Sequence, residues 1–362
     1  MTNSKRDLSR DIAELLNQGV EDKLYSGAQL VVSDAKRDIL SLCAGSTRFP
    51  LERGELGCNA VNVTSDTLFD IASITKPLAT AGLMMCAVAE KKFALDQKLI
   101  SIPELQFPSW SLANTISDLL SHQTDLPAWV DFHGTIPRVE DHETASRFFE
   151  LECKRLQPRA DDKTWCYSDV GYILLGLMLE RSYHMTLAEL FEQKIARPLG
   201  LSLQMLYSPL HWVMRQQIAA TCHYMGAYIQ GHPDDANARA LTHVAGHAGL
   251  FATAGAVAAY VRAMLSKSFV CDSDIVNTFI TYKSERSPFA LGWDRPTSED
   301  SLSGRRPGEN VIGHLGFTGC SVWVDLDTKR SVTLLTNRTH ANSEPGSIAT
   351  LRRGIYRMCW EL

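Results

Sequence analysis

The sequence lacks the features that would direct a chain of 362 residues to nucleic acid or to a membrane. Lys and Arg number 36 against 41 Asp and Glu, and the resulting net charge of −5 provides no basic footprint for nucleic acid. No stretch of about 20 apolar residues is present, which argues against a membrane span. Residues 1–19 are charged and contain no apolar run typical of a signal peptide, so we expect a cytoplasmic protein.

Little in the sequence is typical of a metal or cofactor site. The nine cysteines are scattered without a Cys-x-x-Cys pair, which predicts reduced, mostly buried thiols. Residues 232–235, His-Pro-Asp-Asp, favour a polar turn over a set of metal ligands. His243 and His247 are four apart, but Gly246 and Gly249 interrupt any helix there, and no zinc-protease glutamate follows His243. Because no glycine-rich phosphate loop precedes a lysine either, we predict no metal and no organic cofactor.

What the chain does contain is ordinary globular composition, with strand-like segments near both ends. Residues 27–32 and 38–44 predict one hairpin, and residues 321–325 and 331–336 predict another. An amphipathic surface helix is predicted before the first hairpin, because Leu8, Ile12, Leu15 and Leu16 recur at helical spacing. A second helix is predicted to close the chain from about residue 347.

The middle of the chain is mostly helical in pattern. Apolar helices are predicted over residues 77–90, 170–181, 187–195 and 253–265, and a polar surface loop over residues 298–308. The chain therefore predicts an α/β (α+β) fold, in which a sheet built from both chain ends receives a mostly helical insertion.

The first motif with chemical content is Ser73-Ile74-Thr75-Lys76, at the predicted start of an apolar helix. A lysine three residues after a serine lies one helical turn away, within hydrogen-bonding reach. A neighbouring amine that sheds its proton would activate the serine as a nucleophile, and the helix N-terminus favours the negative charge of acyl transfer. Alone, the motif is weak, since an N-cap serine with a solvated lysine gives the same pattern. No Gly-x-Ser-x-Gly elbow offers another nucleophile.

The second motif is Tyr167-Ser168-Asp169, directly before the predicted helix at Val170. In an extended segment, a tyrosine and a carboxylate two residues apart point to the same side. The alternative is a buried tyrosine followed by an N-cap at Ser168 or Asp169.

The third motif is glycine-rich and covers residues 313–319, Gly-His-Leu-Gly-Phe-Thr-Gly, just before the predicted strand at Ser321. Glycines there would let a substrate backbone approach a strand edge. The alternative is a glycine-rich β-turn.

The three motifs in this order resemble the serine β-lactamase and penicillin-binding-protein superfamily, in particular its class C β-lactamase, DD-peptidase and esterase branch. That branch carries Ser-x-x-Lys, then Tyr-x-Asn or Tyr-Ser-Asp, then Lys-Thr-Gly or His-x-Gly. The resemblance extends from about residue 25 to 340 and includes further stretches at residues 69–77, 116–122, 167–172, 246–251, 291–293 and 336–338.

The resemblance implies a single β-lactamase-like unit over residues 1–362. Its antiparallel sheet would be flanked by the terminal helices. Residues 1–70 and 245–362 would form the α/β sheet lobe, and residues 71–244 the mostly helical lobe.

The resemblance also implies roles for individual residues. Ser73 would be the nucleophile, Lys76 and Tyr167 would share the general-base work, and the backbone N–H groups of Ser73 and Phe317 would form the oxyanion hole. Asp169 would orient Lys76 and the substrate amide. His314, Gly316 and Trp129 would also contact the substrate. For Trp129, packing in the core is an equally good interpretation.

Two departures from the class C pattern bear on activity. His314 stands where those enzymes have lysine, and because an ordinary histidine is mostly neutral near neutral pH, it would bind a substrate carboxylate weakly. Asp169 stands where they have asparagine, and its charge would keep Lys76 protonated. The charge of Lys76 would in turn lower the pKa of Tyr167 and make its phenolate the better base. Strong β-lactamase activity is therefore not expected.

The sequence thus predicts a serine hydrolase that acts through an acyl-enzyme on an ester, a D-Ala-type amide or a β-lactam. Its partner would be a small-molecule or peptide substrate, with no nucleic acid and no membrane span. The alternative is a catalytically weak or silent penicillin-binding-like protein with a binding or scaffold role. The presence of Ser73, Lys76 and Tyr167 together favours the enzyme.

Overall fold

Strands from the two ends of the chain meet in one sheet. The computed structural model describes residues 3–51, 57–102, 105, 107–161, 163–224, 227–266, 268–306, 308–344 and 346–362. In chain order the strands are β1 (Gly27–Ser33), β2 (Asp38–Gly45), β3 (Phe69–Asp70), β4 (Met205–Tyr207), β5 (Ala220–Tyr224), β6 (Ala227–Gln230), β7 (Leu250–Ala252), β8 (Val311–Leu315), β9 (Ser321–Asp325) and β10 (Arg330–Thr336). The helices are α1 (Asn3–Glu21), α2 (Gly82–Ala89), α3 (Ile116–Leu120), α4 (Phe132–Thr135), α5 (His142–Lys154), α6 (Asp169–Tyr183), α7 (Leu187–Phe191), α8 (Ala236–Ala240), α9 (Ala254–Leu265), α10 (Ser273–Thr281) and α11 (Ala349–Glu361).

The main sheet is antiparallel and has the strand order β2-β1-β10-β9-β8. The N-terminal β1 pairs with the C-terminal β10, with Leu30 opposite Leu334. β1 is buried along its whole length, because helices cover both faces of the sheet. Leu30 packs in one core with Ile12 of α1, whereas Val31 faces the larger core on the other side. Burial on both faces explains why β1 reads as a continuous apolar run.

A continuous helical path from Ala72 to Ala89 forms the centre of the second layer. It begins with a 3₁₀ turn (Ala72–Ile74), continues as a π-helical turn (Lys76–Ala81) and ends as α2. By length and composition alone this path is apolar enough to cross a membrane, but 83% of it is buried inside the protein. Its apolar character therefore serves the core.

A small sheet in the order β3-β7-β4 connects this path to the rest of the chain. Phe69 of β3 pairs with Ala252 of β7, and β3 ends just before the 3₁₀ turn. The pairing holds the segment around His247 against the beginning of the helical path.

The predicted α/β (α+β) fold, with an antiparallel sheet from both chain ends and flanking terminal helices, is confirmed. The division into two lobes stays a prediction, and residues 71–244 also contain β4, β5 and β6. The predicted loop over residues 298–308 contains no helix or strand where it is described, and Pro307 lies outside the described residues. Met1 and Thr2, at the start of the predicted first helix, also lie outside them.

Three expectations need correction. The alternative of a glycine-rich β-turn is wrong for residues 313–315, because β8 runs to Leu315 and the turn follows at Gly316. Helices α3, α4, α5, α8 and α10 were not predicted. All nine cysteines are free thiols, but they are not mostly buried. Four are buried, namely Cys86, Cys153, Cys320 and Cys359, and Cys43 is exposed on the edge strand β2.

Candidate active site

A strained turn presents Ser73. The residue before it, Ala72, has a φ of 47°, in the left-handed region that costs a non-glycine residue about 1 kcal/mol or more. The Asp70 carboxylate holds this turn, since it accepts hydrogen bonds from Ala72 N at 2.9 Å and Asp234 N at 2.7 Å. Burial raises the pKa of Asp70 to about 7, although both N–H groups act against the shift. Asp70 therefore fixes the backbone from which Ser73 enters the cleft.

Lys76 lies directly beneath Ser73 and its side chain is fully buried. Its Nζ donates to Ser73 Oγ at 2.9 Å and to the backbone oxygen of His247 at 3.2 Å. Nζ also lies 2.7 Å from Asp169 Oδ1 in an ion pair. Burial by itself would lower the pKa of Lys76, but the charge of Asp169, followed by Tyr167, outweighs it and the pKa is raised. Lys76 is therefore cationic at neutral pH.

Tyr167 completes this group. Lys76 Nζ lies 4.8 Å from the centre of the Tyr167 ring, and the Tyr167 hydroxyl interacts with both Lys76 and Ser73. Enclosure of the hydroxyl raises the pKa of Tyr167, and the opposing effect of Lys76 is smaller. Lys76 does lower the pKa of Tyr167, as expected, but burial is the larger effect and raises the pKa overall, so Tyr167 is not the ready phenolate base that the sequence predicted. In the resting protein Tyr167 keeps its proton.

The helix cap next to Tyr167 is Ser168 and not Asp169. Ser168 Oγ accepts from Gly171 N at 3.1 Å, and Asp169 is the first residue of α6. The Asp169 carboxylate is thereby free to face Lys76.

His122, to which the sequence gave no role, supports the same segment. Its Nδ1 accepts from Ser168 N at 3.0 Å, and its ring packs 4.6 Å from that of Tyr167. Burial, followed by the charge of Lys76, lowers the pKa of His122 well below the ordinary range. A neutral His122 therefore positions Tyr167 without adding charge.

Strand β8 and the following turn form the opposite edge of the cleft. Gly316 lies so close to the backbone before Ser73 that a Cβ there would be 2.5 Å from Ile71 O. This contact brings the Phe317 backbone next to the Ser73 turn. The Phe317 side chain is exposed, and Arg338 packs over its ring at 5.0 Å and donates to its backbone oxygen.

His314 on β8 faces the same cleft and is nearly buried. Its Nδ1 donates to Leu315 O at 2.8 Å, and its Nε2 has no hydrogen-bond partner in the described part of the chain. Burial, followed by the charge of Lys76, lowers the pKa of His314 to about 3. His314 is therefore neutral throughout the working pH range, which agrees with the expectation from sequence.

The cleft has a volume of about 760 Å³. Every residue predicted for the site lines it except Lys76, which is fully buried behind the lining. Trp129 stands on its wall with 52% of its surface exposed, so core packing is the wrong alternative for this residue. The structure adds lining residues to which the sequence gave no role in the site: Asp234, Asp235, Phe289, Asp294, Arg338 and Arg352.

Asp235 belongs to the segment that was predicted as a polar turn. It caps α8 through Ala238 N and accepts from His247 Nε2 at 2.9 Å. Burial would raise the pKa of Asp235, but His247 and the cap bond overcome it and bring the pKa to about 2. The backbone oxygen of His247 accepts from Lys76, so the hydrogen bond between His247 and Asp235 helps to position the lysine.

Comparison with known proteins shows the family of the chain. The model of the family described as Beta-lactamase matches residues 12–356. The chain belongs to the Beta-lactamase family. This membership confirms the resemblance stated from sequence, and with it the description of the chain as a β-lactamase-related member of a hydrolase family.

Two bacterial proteins with other names are also similar to this chain. N-acetylmuramyl-L-alanine amidase of Bacillus subtilis (strain 168) is 28% identical over 347 residues, which cover 87% of this chain and 78% of the relative. A protein of Escherichia coli (strain K12), provisionally named D-alanyl-D-alanine carboxypeptidase, is 28% identical over 310 residues, covering 78% and 71%.

Solved structures share the fold. A class C β-lactamase superposes with a TM-score of 0.74 at 18% identity and covers 100% of both chains. The octameric penicillin-binding protein homologue from Pyrococcus abyssi has a TM-score of 0.69 at 16% identity, covering 94% of this chain and 75% of its own.

Proposed function

We propose that the protein is a serine hydrolase that forms an acyl-enzyme on Ser73 and cleaves an ester, or an amide of the D-Ala peptide type. The observation that carries the proposal is the contact of Ser73 Oγ with Lys76 Nζ at 2.9 Å, while Asp169 lies 2.7 Å from the same nitrogen. A buried lysine loses its hydration, which costs free energy of folding. Because replacing a buried ion pair by apolar side chains is often neutral or stabilising, stability alone does not explain this pair.

The reaction begins when Ser73 Oγ attacks the substrate carbonyl carbon. Both Lys76 and Tyr167 hold their protons at rest, so the pair must first lose one proton. It then accepts the proton of Ser73 as the tetrahedral intermediate forms. The same proton passes to the leaving alcohol or amine when the C–O or C–N bond breaks. Water repeats the sequence on the acyl-enzyme and releases the acid.

The negative oxygen of the tetrahedral intermediate requires donors close to Ser73. We assign this role to the backbone N–H groups of Ser73 and Phe317, and the close approach of Gly316 to Ile71 O supports the assignment. A single donor of this kind is worth about 10²–10³ in rate.

Asp169→Asn should move the pH profile of kcat/KM to lower pH. With Asp169 present, the pKa of Lys76 is raised above its ordinary value of 10.5, so only a small fraction is a free base at neutral pH. Activity should therefore rise tenfold per pH unit up to that pKa. Loss of the Asp169 carboxylate removes the main effect that opposes burial of Lys76, so the pKa of Lys76 falls. The rising limb of the kcat/KM profile then begins at lower pH.

The matched control is Asp141→Asn, the same chemical change at the N-cap of α5 on the surface. Asparagine caps about as well as aspartate, so this control should leave the profile where it is. An active Asp169→Asn protein whose rising limb coincides with that of the wild type would contradict the electrostatic role of Asp169.

The neutral His314 predicts a preference between substrates. Uncharged short-chain esters, such as p-nitrophenyl butyrate, should have a higher kcat/KM than nitrocefin, whose carboxylate finds no cation at position 314. Arg338 and Arg352 also line the cleft, but both are nearly buried and donate to backbone oxygens of the turn after β8. A D-Ala-D-Ala peptide tests the amide alternative.

His314→Lys should raise the nitrocefin-to-ester ratio of kcat/KM, and His314→Gln, which stays neutral, is its control. If the wild type prefers nitrocefin, or if both variants change the ratio equally, charge at position 314 does not set the preference.

A further inference from the structure

A second cavity, with a volume of about 860 Å³, lies apart from the Ser73 cleft and shares no lining residue with it. The short helix α8 stands between the two. Its first residue, Ala236, lines the cleft, whereas Arg239 and Ala240 line the second cavity. A ligand in this cavity would therefore bind independently of the hydrolytic reaction.

Two guanidinium groups meet at one tyrosine in its wall. Arg138 Nη2 donates to the Tyr224 hydroxyl at 3.1 Å, and Arg239 lies over the Tyr224 ring at 4.8 Å. Arg239 otherwise donates to the backbone oxygens of Pro233 and Asp234. Neither arginine forms an ion pair with a carboxylate in the described ranges. Two such positive charges without a counter-ion favour an anion.

Among the described residues, neither carboxylate in the lining forms an ion pair with these arginines. Glu189 caps α7, where its Oε2 accepts from Thr186 N and Thr186 Oγ1 at 2.9 Å. Glu140 is exposed on the rim.

Three imidazoles line the same cavity, those of His133, His211 and His243. The ring of His243 lies 4.5 Å from that of His232. Burial, followed by the proximity of His232, Arg239 and His211, lowers the pKa of His243 to about 4. Among the described residues, no three His, Cys, Asp or Glu side chains lie close enough together to hold a metal ion. We therefore expect these imidazoles to act as hydrogen-bond partners of a ligand.

The backbone beside this wall is strained. Thr242 and His243 both have positive φ, 53° and 74°, and two consecutive non-glycine residues in this region are rare. Hydrogen bonds from Thr242 N to Arg239 O and from His243 N to Ala238 O hold them there. The fold keeps a strained turn that places the His243 ring in the cavity wall, as is frequent at ligand sites.

The rest of the wall is apolar or aromatic. Trp212 is 72% exposed and faces the cavity, together with Tyr207, Ile136, Pro137 and Val139. An exposed tryptophan and two guanidinium groups in the lining of one cavity fit a flat apolar body that carries an acidic group.

We propose that this second cavity binds a small organic anion, a carboxylate or phosphate attached to an aromatic or similarly flat apolar group. The acidic group would contact Arg138 and the nearby imidazoles, and the flat group would pack on Trp212.

Isothermal titration calorimetry tests the proposal with four probes: phenyl phosphate, phenylacetate, inorganic phosphate and benzyl alcohol. At least one aryl anion should bind the wild-type protein, at least tenfold more tightly than inorganic phosphate and benzyl alcohol. The better of the two aryl anions decides between phosphate and carboxylate. Arg138→Gln and Trp212→Ala should each weaken its binding about tenfold or more, since a hydrogen bond to a charged group is lost in one and the apolar contact in the other.

Two controls separate this cavity from the Ser73 cleft and from general surface charge. Arg147→Gln removes an exposed arginine of α5 outside the cavity, and Phe317→Ala alters the cleft. Neither should change the affinity for the aryl anion. Modification of the histidines by diethyl pyrocarbonate, mapped by mass spectrometry, gives a readout on the unmutated protein, in which the aryl anion should protect His133, His211 or His243.

The proposal is overturned if neither aryl anion binds, if Phe317→Ala abolishes the binding, or if Arg138→Gln binds as tightly as Arg147→Gln. Absence of protection at all three histidines would also overturn it. None of these outcomes depends on turnover at Ser73.

Discussion

Replacing Ser73 by alanine should reduce kcat/KM for the best ester substrate by about 10⁴–10⁶, to the level left by binding and the oxyanion donors alone. No second serine, threonine or cysteine lies among the described residues that line the cleft, so none of these can replace Ser73. The fold should survive, since the substitution removes one oxygen at the cleft surface and leaves the Asp70 contacts with the turn intact.

The matched control is Ser101→Ala, which removes the hydroxyl of an exposed serine whose Oγ donates only to a local backbone oxygen. Its rate and melting temperature should both equal those of the wild type. A Ser73→Ala protein that keeps more than about a tenth of the wild-type rate would show that another group carries the reaction.

Lys76→Met should have the second largest effect, a fall in kcat/KM of about 10²–10⁴, because it removes one member of the Lys76–Tyr167 pair that accepts and returns the proton of Ser73. Methionine fills a similar volume without charge. The substitution leaves Asp169 without its cation, but the Asp169 side chain is 19% exposed and keeps part of its hydration. The loss of stability should therefore lie below the roughly 3–5 kcal/mol typical of broken buried pairs.

Lys194→Met is the control for Lys76→Met. Lys194 forms an ion pair of the same length, 2.7 Å, with Glu90, but its side chain is 31% exposed. Surface pairs contribute about 0–1 kcal/mol, so this variant should fold and react as the wild type does. Equal rates for the two lysine variants would contradict the assignment of Lys76.

The local parts of the site could be predicted from sequence because they depend on short spacings. Ser73 and Lys76 lie within one helical turn of each other, and Tyr167 and Asp169 flank a helix start that Ser168 caps. These contacts follow from backbone geometry, which a single sequence encodes.

The remaining parts depend on contacts between distant segments. The sign of the Tyr167 pKa shift was missed because it comes from enclosure by residues such as Phe289, more than a hundred positions away. Two further contacts could not be predicted from the sequence for the same reason. His247 O accepts from Lys76, and Asp234 N donates to Asp70, which holds the Ser73 turn.

Strand β8 was missed for a different reason. The glycines of residues 313–319 are typical of a turn, but Gly313 is required by packing, since a Cβ there would lie 2.2 Å from the Trp323 ring on β9. Close approach of a neighbouring strand and a tight turn select the same residue, and only the paired sheet distinguishes them.

Covalent labelling identifies the nucleophile directly. The protein is incubated with a fluorophosphonate and, separately, with a fluorescent penicillin, and the adduct is then located by intact mass and peptide mapping. We expect one equivalent of adduct from at least the fluorophosphonate, on the peptide that contains Ser73, and none in Ser73→Ala. Labelling of a different residue, or equal labelling of the wild type and Ser73→Ala, would show that Ser73 is not the nucleophile.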